Sequence, residues 1–214
     1  MLKDIPLFAG LSEDELSMLE QHANTRTFPK NAILINEGDD TDSLYIIQSG
    51  KVRIFMSNED GKEIILNEQG PGEHFGELAL IDDAPRSASV MAMKKTQVSV
   101  ISRHDFRDVL GKHPDMAFSL IQDLSHRVRL LSENVKNLAL LDVYGRVAKT
   151  LLGMARDIDG RLTIEDRPTQ QDIANHIGAS REMVARILKD LETGGYIPIT
   201  KKQVLINEKL PDRY

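Results

Sequence analysis

The chain contains no cysteine among its 214 residues. This absence excludes disulfides, cysteine-ligated zinc and cysteine-held iron–sulfur clusters. No apolar run approaches the roughly 20 residues that a membrane-spanning helix needs, and the N-terminus MLKDIPLFAG lacks the long apolar core of a signal peptide. We therefore expect a cytoplasmic protein without a membrane partner. Its length allows two modest domains, each with its own core.

Common catalytic signatures are also missing from the sequence. There is no HExxH, no Gly-rich P-loop, no GxSxG and no Cys/His nucleophile pair. The adjacent carboxylates of Asp82 and Asp83 are predicted to lie in a flexible loop that they merely help to solubilise. We expect no enzymatic activity and no cofactor or metal.

The net charge of −6 is unevenly distributed along the chain. From Asp142 to Tyr214 there are 12 basic and 11 acidic side chains, so the first 141 residues, with 15 basic and 22 acidic side chains, carry a net charge of −7. A near-neutral C-terminal part can still present a basic face to nucleic acid. The whole-chain charge therefore does not exclude DNA as a partner.

The longest predicted helix runs from His113 to Leu141. Pro114 suits its first position, and neither Gly nor a second Pro follows until Gly145. Apolar residues recur in steps of three and four, as in the a/d seam of a coiled coil, although an amphipathic helix lying on its own domain shows similar spacing. The seam residues are Ile121, Leu124, Val128, Leu131, Val135 and Leu138. This helix is predicted to pair two copies of the chain and to join two domains.

The chain before this helix is predicted to begin with a helix and then to form strands. Residues 3–24 are predicted to be helical with a capping box from Ser12 to Glu15, and Thr27–Ser102 contains short β-rich runs separated by glycines. Such runs predict an antiparallel sandwich or barrel. HDFRDVL then predicts a short helix with Gly111 just beyond its end.

The residues after Leu141 predict a smaller α/β domain. Asp142 can cap a helix that we expect to end near Asp159-Gly160, followed by a short strand at RLTIE. Two helices at 169–177 and 180–193 are separated by a tight turn, and the runs YIPIT and VLINE around KKQ predict a terminal hairpin.

The stretch FGELALIDDAPRSASV has the composition of a phosphate-binding loop. Arg86 can donate two charge-assisted hydrogen bonds to a phosphate, and Ser87 adds a hydroxyl. Gly76 allows a close backbone approach, and Glu77 can accept a hydrogen bond from a sugar hydroxyl. The alternative is a simple ion pair between Glu77 and Arg86 that closes a turn.

The helices at 169–177 and 180–193 are arranged as in a helix-turn-helix. Thr169 and Asp172 can form a capping box, and Ser180 can cap the second helix. The apolar positions of that helix leave Arg181, Glu182, Arg186 and Lys189 facing outward. Arg can read guanine and Glu can accept from cytosine in the major groove, although a charged solvent face would have the same composition.

These segments together resemble a known family. FGELALIDDAPRSASV, with the preceding EGD and LYIIQSGKVRIF, resembles the phosphate cassette of cyclic-nucleotide-binding domains, and TQQDIANHIGASREMVARILKDLE resembles the helix-turn-helix of the CRP/FNR transcription regulators. The resemblance implies an α+β fold with a jelly-roll-like antiparallel β-roll at 1–112, a dimerisation helix at 113–141 and a winged helix-turn-helix domain at 142–214. It implies a homodimer that binds double-stranded DNA and contacts RNA polymerase, with a patch at Asp157–Thr163.

The same resemblance assigns roles to individual residues. Glu77 would hold the ribose 2′-hydroxyl, Arg86 and Ser87 the cyclic phosphate, and the backbone at Gly76 and Leu78 would complete the site. The resemblance implies that Arg181 and Arg186 read guanines, Glu182 a cytosine, and the target is a TGTGA-like inverted repeat. The expected DNA-contacting set is Thr169, Gln170, Ser180, Arg181, Glu182, Arg186 and Lys189.

The sequence departs from the cyclic-AMP-responsive members at one pair on the long helix. Leu131-Ser132 stands where the resemblance implies a Thr-Ser pair against the adenine, and Leu131 can neither donate nor accept a hydrogen bond. Cyclic AMP is the expected effector, and cyclic GMP, a cyclic dinucleotide or constitutive DNA binding are the alternatives. A regulatory subunit without a DNA role is a more distant alternative.

Haem is the other sensing chemistry to weigh. The six histidines are isolated from one another along the chain, which is typical of surface residues rather than of axial ligands. His74 is the one that adjoins the cassette.

Overall fold

A computed structural model of the chain describes Lys3, residues 5–200, residues 202–207 and Leu210. The chain divides into two compact units: the first contains the residues up to Met56 together with Ile65–Arg129, and the second contains Ser57–Ile64 and the chain from Leu130 onward. Mixed helices and strands confirm the α+β prediction. None of the helices in the described part is long and apolar enough to cross a membrane.

Two four-stranded antiparallel sheets form the β-roll, in the orders β1-β8-β3-β6 and β2-β7-β4-β5. The strands are β1 (Asn24–Phe28), β2 (Ile33–Ile35), β3 (Ser43–Ser49), β4 (Val52–Ser57), β5 (Glu63–Gln69), β6 (His74–Phe75), β7 (Ser89–Ala92) and β8 (Thr96–Ser102). Side chains from both sheets share one core, in which Ile47 and Phe75 of the first sheet join Val52 and Val90 of the second. The predicted antiparallel sandwich is therefore confirmed.

A second core lies where the helices of the first unit pack on β3 and β8. These helices are a 3-10 turn at Pro6–Phe8, α1 (Glu13–His22), α2 (Leu78–Ile81), α3 (Arg103–Lys112) and the first part of α4 (Pro114–Leu140). Leu80 of α2, Phe106 of α3 and Met116 of α4 are buried together there. The short helix α2, which is called the cassette helix below, and the start of α4 thus share one apolar core.

The N-terminal prediction needs two corrections. The helix over residues 3–24 is confined to Glu13–His22, which begins at the predicted Ser12–Glu15 capping box. The strand β1 (Asn24–Phe28) was not predicted, because NTRTF is mostly polar and exposed, and its conformation comes from antiparallel pairing with β8.

The prediction that α3 ends at Gly111 is also wrong. The helix includes Gly111 and ends at Lys112, and its C-cap His113 leaves the helical conformation. His113 precedes Pro114, and a residue before proline is disfavoured in the helical region. The long helix α4 (Pro114–Leu140) then begins and ends within one residue of its predicted limits.

The second unit contains α5 (Val143–Met154), β9 (Arg156–Ile158), β10 (Arg161–Ile164), α6 (Gln170–Ile177), α7 (Arg181–Thr193) and β11 (Val204–Ile206). The predicted extension of α5 to Asp159-Gly160 is wrong, because Arg156–Ile158 pairs with β10 and Asp159 and Gly160 form the turn with φ of 53° and 78°. Tertiary pairing here overrides local helix propensity.

The predicted terminal hairpin is present only in part. The strand β11 pairs with β10, whereas the preceding YIPIT run contributes a single bridge from Ile199 to Val204. Part of the predicted turn, at Lys201, lies outside the described residues.

Candidate functional site

The segment predicted to bind phosphate begins where β6 ends. Gly76 has a φ of 84°, and a Cβ at this position would lie 2.7 Å from Nη1 of Arg86. Glu77 is the N-cap of α2, whose four residues run from Leu78 to Ile81. The glycine therefore allows the chain to turn sharply from the strand into this short helix while the Arg86 side chain lies against its backbone.

Arg86 is buried and held in a fixed orientation by three hydrogen bonds. Its Nε donates to Oγ1 of Thr41 at 2.8 Å, Nη1 to the Gly76 carbonyl at 2.6 Å and Nη2 to the Ser43 carbonyl at 2.8 Å. A guanidinium has five N–H donors, so two remain after these bonds. Burial lowers the pKa of Arg86, and the nearby acidic residues Asp42 and Glu77 oppose this. The result is a preoriented cation suited to an anion.

Glu77 is nearly inaccessible to solvent, at 3% exposed. Burial raises the pKa of its carboxyl, and the positive charge of Arg127 acts against that rise. Oε1 accepts from Nη1 of Arg127 at 3.1 Å, whereas the buried Oε2 has no hydrogen-bond partner among the described residues. The Glu77–Arg86 pair considered as an alternative is replaced by a Glu77–Arg127 pair. The second carboxylate oxygen can accept a hydrogen bond from a hydroxyl.

Arg127 of α4 connects the long helix to the cassette. Its Nη2 donates to the His74 carbonyl at 2.9 Å and lies 3.5 Å from Nε2 of that ring, and its Nε lies 2.8 Å from Oδ2 of Asp123. The buried His74 ring has its pKa lowered to about 4, first by burial and then by the charge of Arg127. His74 is therefore neutral near pH 7.

Sequence reasoning did not identify Arg127 as a site residue. The only local signal was an Asp123–Arg127 pair with i,i+4 spacing on a helix. Glu77 and His74 are 50 and 53 residues away in the sequence. No local pattern could show that this arginine reaches the cassette.

Other predicted residues of the cassette lie nearer the surface. Ser87 and Leu78 are exposed, where a ligand could reach the hydroxyl and the backbone of the cassette. The prediction that Asp82-Asp83 is a flexible, solubilising loop is wrong for Asp83. Its carboxylate forms ion pairs with Arg103 and Arg107 of α3.

The remaining predicted ligand residues, Leu131 and Ser132, lie on the part of α4 that belongs to the second unit. Both are exposed. Their contact with a nucleotide stays a prediction.

The predicted seam of α4 faces solvent along most of its length. Ile121 is 57% exposed, Val128 62% and Val135 64%, and Leu131 and Leu138 are also exposed. Leu124 differs, because it is partly buried against the helical core of its own unit. A row of exposed apolar residues on one helix is a surface that a partner helix can cover.

The two helices of the predicted helix-turn-helix are present with their predicted caps. Thr169 and Asp172 form the capping box of α6, Ser180 caps α7, and Gly178 ends α6 in the left-handed region at φ 62°. Apolar residues of both helices, such as Ile173 and Ile187, lie in one core with α5. The position of α7 is thus fixed by its apolar face.

The polar face of α7 is open to solvent. Arg181, Glu182, Arg186 and Lys189 are all exposed, as are Thr169 and Ser180, while Gln170 is partly buried. Nη2 of Arg186 lies 3.1 Å from the Met183 sulfur. A groove of about 700 Å³ is lined by Arg167, Pro168, Thr169, Gln170, Gln171 and Arg181. Arg167 and Arg181 thus place positive charge at this groove.

Comparison with known proteins matches both parts of the chain. The family described as cyclic nucleotide-binding domain matches residues 25–113, and the Crp-like helix-turn-helix domain matches residues 145–209. The cAMP-activated global transcriptional regulator CRP of Salmonella typhimurium is 36% identical over 91% of this chain and 95% of its own length. A CRP-like cAMP-activated global transcriptional regulator of Mycobacterium tuberculosis is 34% identical over 94% of this chain and 92% of its own length.

A solved structure with the same fold is that of the c-di-GMP-responsive global regulator CLP of Xanthomonas campestris. It covers 92% of this chain and 100% of that one, with a TM-score of 0.80 and 24% identity. This likeness concerns the fold alone.

Proposed function

This chain belongs to the CRP/FNR family of transcription regulators, and we propose that it is a homodimer whose affinity for double-stranded DNA is set by cyclic AMP. It is a DNA-binding regulator with a cyclic-nucleotide-binding domain, and it is not an enzyme. The effector, the dimer and the DNA sequence that it reads are the proposed parts.

The proposal rests on two groups that the cassette contains: a preoriented cation and a hydrogen-bond acceptor without a partner. Arg86 is fixed by three hydrogen bonds and retains two N–H donors, and Oε2 of Glu77 is buried without a hydrogen-bond partner among the described residues. A cyclic phosphate attached to a ribose supplies both an anion and a hydroxyl. Arg86, with the Ser87 hydroxyl and the backbone at Gly76 and Leu78, would bind the phosphate, and Glu77 would accept from the 2′-hydroxyl.

Cyclic AMP is proposed because the relatives from Salmonella typhimurium and Mycobacterium tuberculosis are both described as cAMP-activated. Leu131 cannot hydrogen-bond an adenine, so Ser132 is the candidate for that contact. The structural neighbour CLP is described as responsive to c-di-GMP, which makes a cyclic dinucleotide the competitor to test.

Dimerisation is proposed through the exposed seam of α4. Ile121, Val128, Leu131, Val135 and Leu138 lie on one helix face at heptad spacing and are all exposed. An identical helix would remove them from water, which is the main favourable term in such an association.

DNA reading is proposed for the first turns of α7. Arg181 and Arg186 would read guanines and Glu182 a cytosine of a TGTGA-like half-site, with Lys189, Thr169, Gln170 and Ser180 contacting the phosphates. Two such helices related by a dimer axis would read an inverted repeat. The turn between β9 and β10, within Asp157–Thr163, is the proposed contact with RNA polymerase.

Gating requires that the nucleotide bind one arrangement of the dimer more tightly than another. Arg127 gives a physical route for this, since it belongs to α4 and pairs with the carboxylate that would hold the ribose. A nucleotide that repositions Glu77 would change this pair, and the change would reach the recognition helices through α4 and the junction at Leu141-Asp142.

Fluorescence anisotropy of a labelled TGTGA-N6-TCACA duplex tests this proposal. The protein is titrated without nucleotide and then with cyclic AMP, cyclic GMP or c-di-GMP in separate series. We expect tight binding only with cyclic AMP. Arg86→Gln should abolish the nucleotide response, and Arg181→Ala should abolish DNA binding while nucleotide binding, measured by calorimetry, persists.

The other outcomes are equally informative. Equal DNA affinity in all series would support DNA binding by α7 and would contradict its control by a nucleotide. A response to c-di-GMP alone would replace the effector. No binding to the duplex in any series would contradict the proposed recognition sequence.

A further inference from the structure

The loop that follows the cassette helix is held by two arginines of α3. Nη1 of Arg103 and Nη2 of Arg107 both contact the carboxylate of Asp83, the latter at 3.0 Å. Asp83 has a φ of 58°, in the left-handed region that Asp adopts more readily than most residues other than glycine. The two ion pairs connect this loop residue to α3.

The same arginines also reach the backbone of the cassette helix. Nη2 of Arg103 donates to the Ala79 carbonyl at 3.0 Å, and Nε of Arg107 donates to the Leu80 carbonyl at 2.8 Å. Carbonyls in the last turn of a helix have no partner within it, and cations there are favourable. A helix of only four residues is not stable by itself, so its position depends on such external contacts.

Side chains of α3 and α4 therefore contact the cassette helix α2 at both of its ends. At its N-terminus the capping residue Glu77 pairs with Arg127 of α4, and at its C-terminus Arg103 and Arg107 connect it to α3. Only His113 separates α3 from α4. Hydrogen bonds and ion pairs therefore connect α2 to α3 and to α4.

We propose that Asp83, Arg103 and Arg107 are positioning residues that couple occupancy of the nucleotide site to α3, and through it to α4. This inference rests on the proposed function, because it assigns a transmission route to the same site. None of the three residues need touch the nucleotide. Arg107→Lys should already weaken the coupling, since a single ammonium cannot reproduce the two directed contacts of the guanidinium.

The test compares Asp83→Asn and the double variant Arg103→Gln/Arg107→Gln with the unmodified protein. The matched control is Asp108→Asn, which removes a carboxylate that pairs with Lys112 on the same helix at 2.7 Å without touching the cassette. For each protein, calorimetry gives the affinity for cyclic AMP, and anisotropy gives the ratio of DNA affinities with and without cyclic AMP.

We expect the ratio of DNA affinities to fall by about three- to tenfold in the double variant and less in Asp83→Asn. Cyclic AMP should still bind, and Asp108→Asn should match the unmodified protein. Hydrogen exchange of residues 103–112 gives a second readout: cyclic AMP should slow it in the unmodified protein and no longer do so in the double variant. A merely structural role would change exchange equally with and without nucleotide.

Two negative results can be told apart. Failure of the unmodified protein to bind any nucleotide would overturn the proposed function and this inference with it. Normal nucleotide binding together with an unchanged affinity ratio and exchange response in the double variant would overturn only the role of Asp83, Arg103 and Arg107.

Discussion

At Gly76 the backbone has a φ of 84°, and a Cβ would lie 2.7 Å from Nη1 of Arg86 and 3.0 Å from the Ser43 carbonyl oxygen. We predict that Gly76→Ala lowers the free energy of unfolding by about 1–3 kcal/mol, because the backbone is strained and the Arg86 guanidinium must move. Nucleotide affinity should fall at least about tenfold, since that guanidinium is the proposed phosphate ligand. Urea denaturation and calorimetry measure the two effects.

Gly153→Ala is the control for this substitution. Gly153 lies in α5, where an added Cβ would meet nothing within 4 Å. An exposed helical glycine is less favourable than alanine, so this variant should be more stable by about 0.5 kcal/mol. Unchanged nucleotide affinity in Gly76→Ala would contradict the assigned geometry.

The lowered pKa of the buried His74 ring leads us to predict that stability depends on pH. Burial and the nearby charge of Arg127 lower the pKa of His74 from 6.5 to about 4, whereas Asp123 opposes this. Between these values the unfolded chain takes up a proton that the folded protein does not, so the contribution of His74 to stability falls as pH decreases from about 6.5 towards 4. The total effect is on the order of 3 kcal/mol.

Urea denaturation between pH 4 and 7 measures this loss. His74→Phe should flatten the slope over that range because the titrating ring is gone. Equal slopes for His74→Phe and the unmodified protein would show that His74 is not the group responsible.

Among the elements, those with local signals were predictable from the sequence. The caps at Ser12, Asp142, Thr169 and Ser180 all form, because each needs only a side chain and a backbone N–H three residues away. The limits of α4 follow similarly from Pro114 and the apolar repeat.

The elements and contacts that the sequence did not predict depend on distant partners. The strands β1 and β9 exist because β8 and β10 pair with them. Arg127 reaches Glu77, and Asp83 reaches α3, through contacts with partners 50 and 20–24 residues away in the sequence. The cassette residues Glu77 and Arg86 could be named in advance, whereas their partners could not.

The helix α4 carries the prediction for dimerisation. Val135→Glu should shift the proposed dimer towards monomer, because it places a charge in the middle of the exposed apolar seam, where the partner helix would bury it. Asn134→Glu adds the same charge one residue away, off the seam, and should leave the dimer intact. Sedimentation equilibrium distinguishes the two, and a dimer retained by Val135→Glu would place the interface elsewhere.

On the scale of the whole molecule, the net negative charge belongs to the first 141 residues, whereas the helix-turn-helix lies in the residues after them. The protein carries a net charge of −6, yet the residues from Asp142 onward are nearly neutral, with 12 basic and 11 acidic side chains. Attraction to DNA must therefore come from a few exposed cations of the helix-turn-helix rather than from the overall charge. Binding to unrelated DNA should consequently be weak, and specific binding should depend on individual side chains.

Substitutions of Lys189 and Arg186 should have different effects on the affinity for specific and mismatched DNA. Lys189→Gln should weaken binding to the specific and to a mismatched duplex equally, and should reduce the slope of log affinity against log salt by about one for each protomer, because a phosphate contact releases counterions without reading bases. Arg186→Gln should instead cost about 1–3 kcal/mol on the specific duplex and little on the mismatched one, because the proposed role of Arg186 is to read a base edge. Anisotropy titrations of both duplexes at several salt concentrations separate the two effects. Equal loss on both duplexes for Arg186→Gln would assign that arginine to the DNA backbone, and Arg181 and Glu182 would then remain as the base-reading residues of α7.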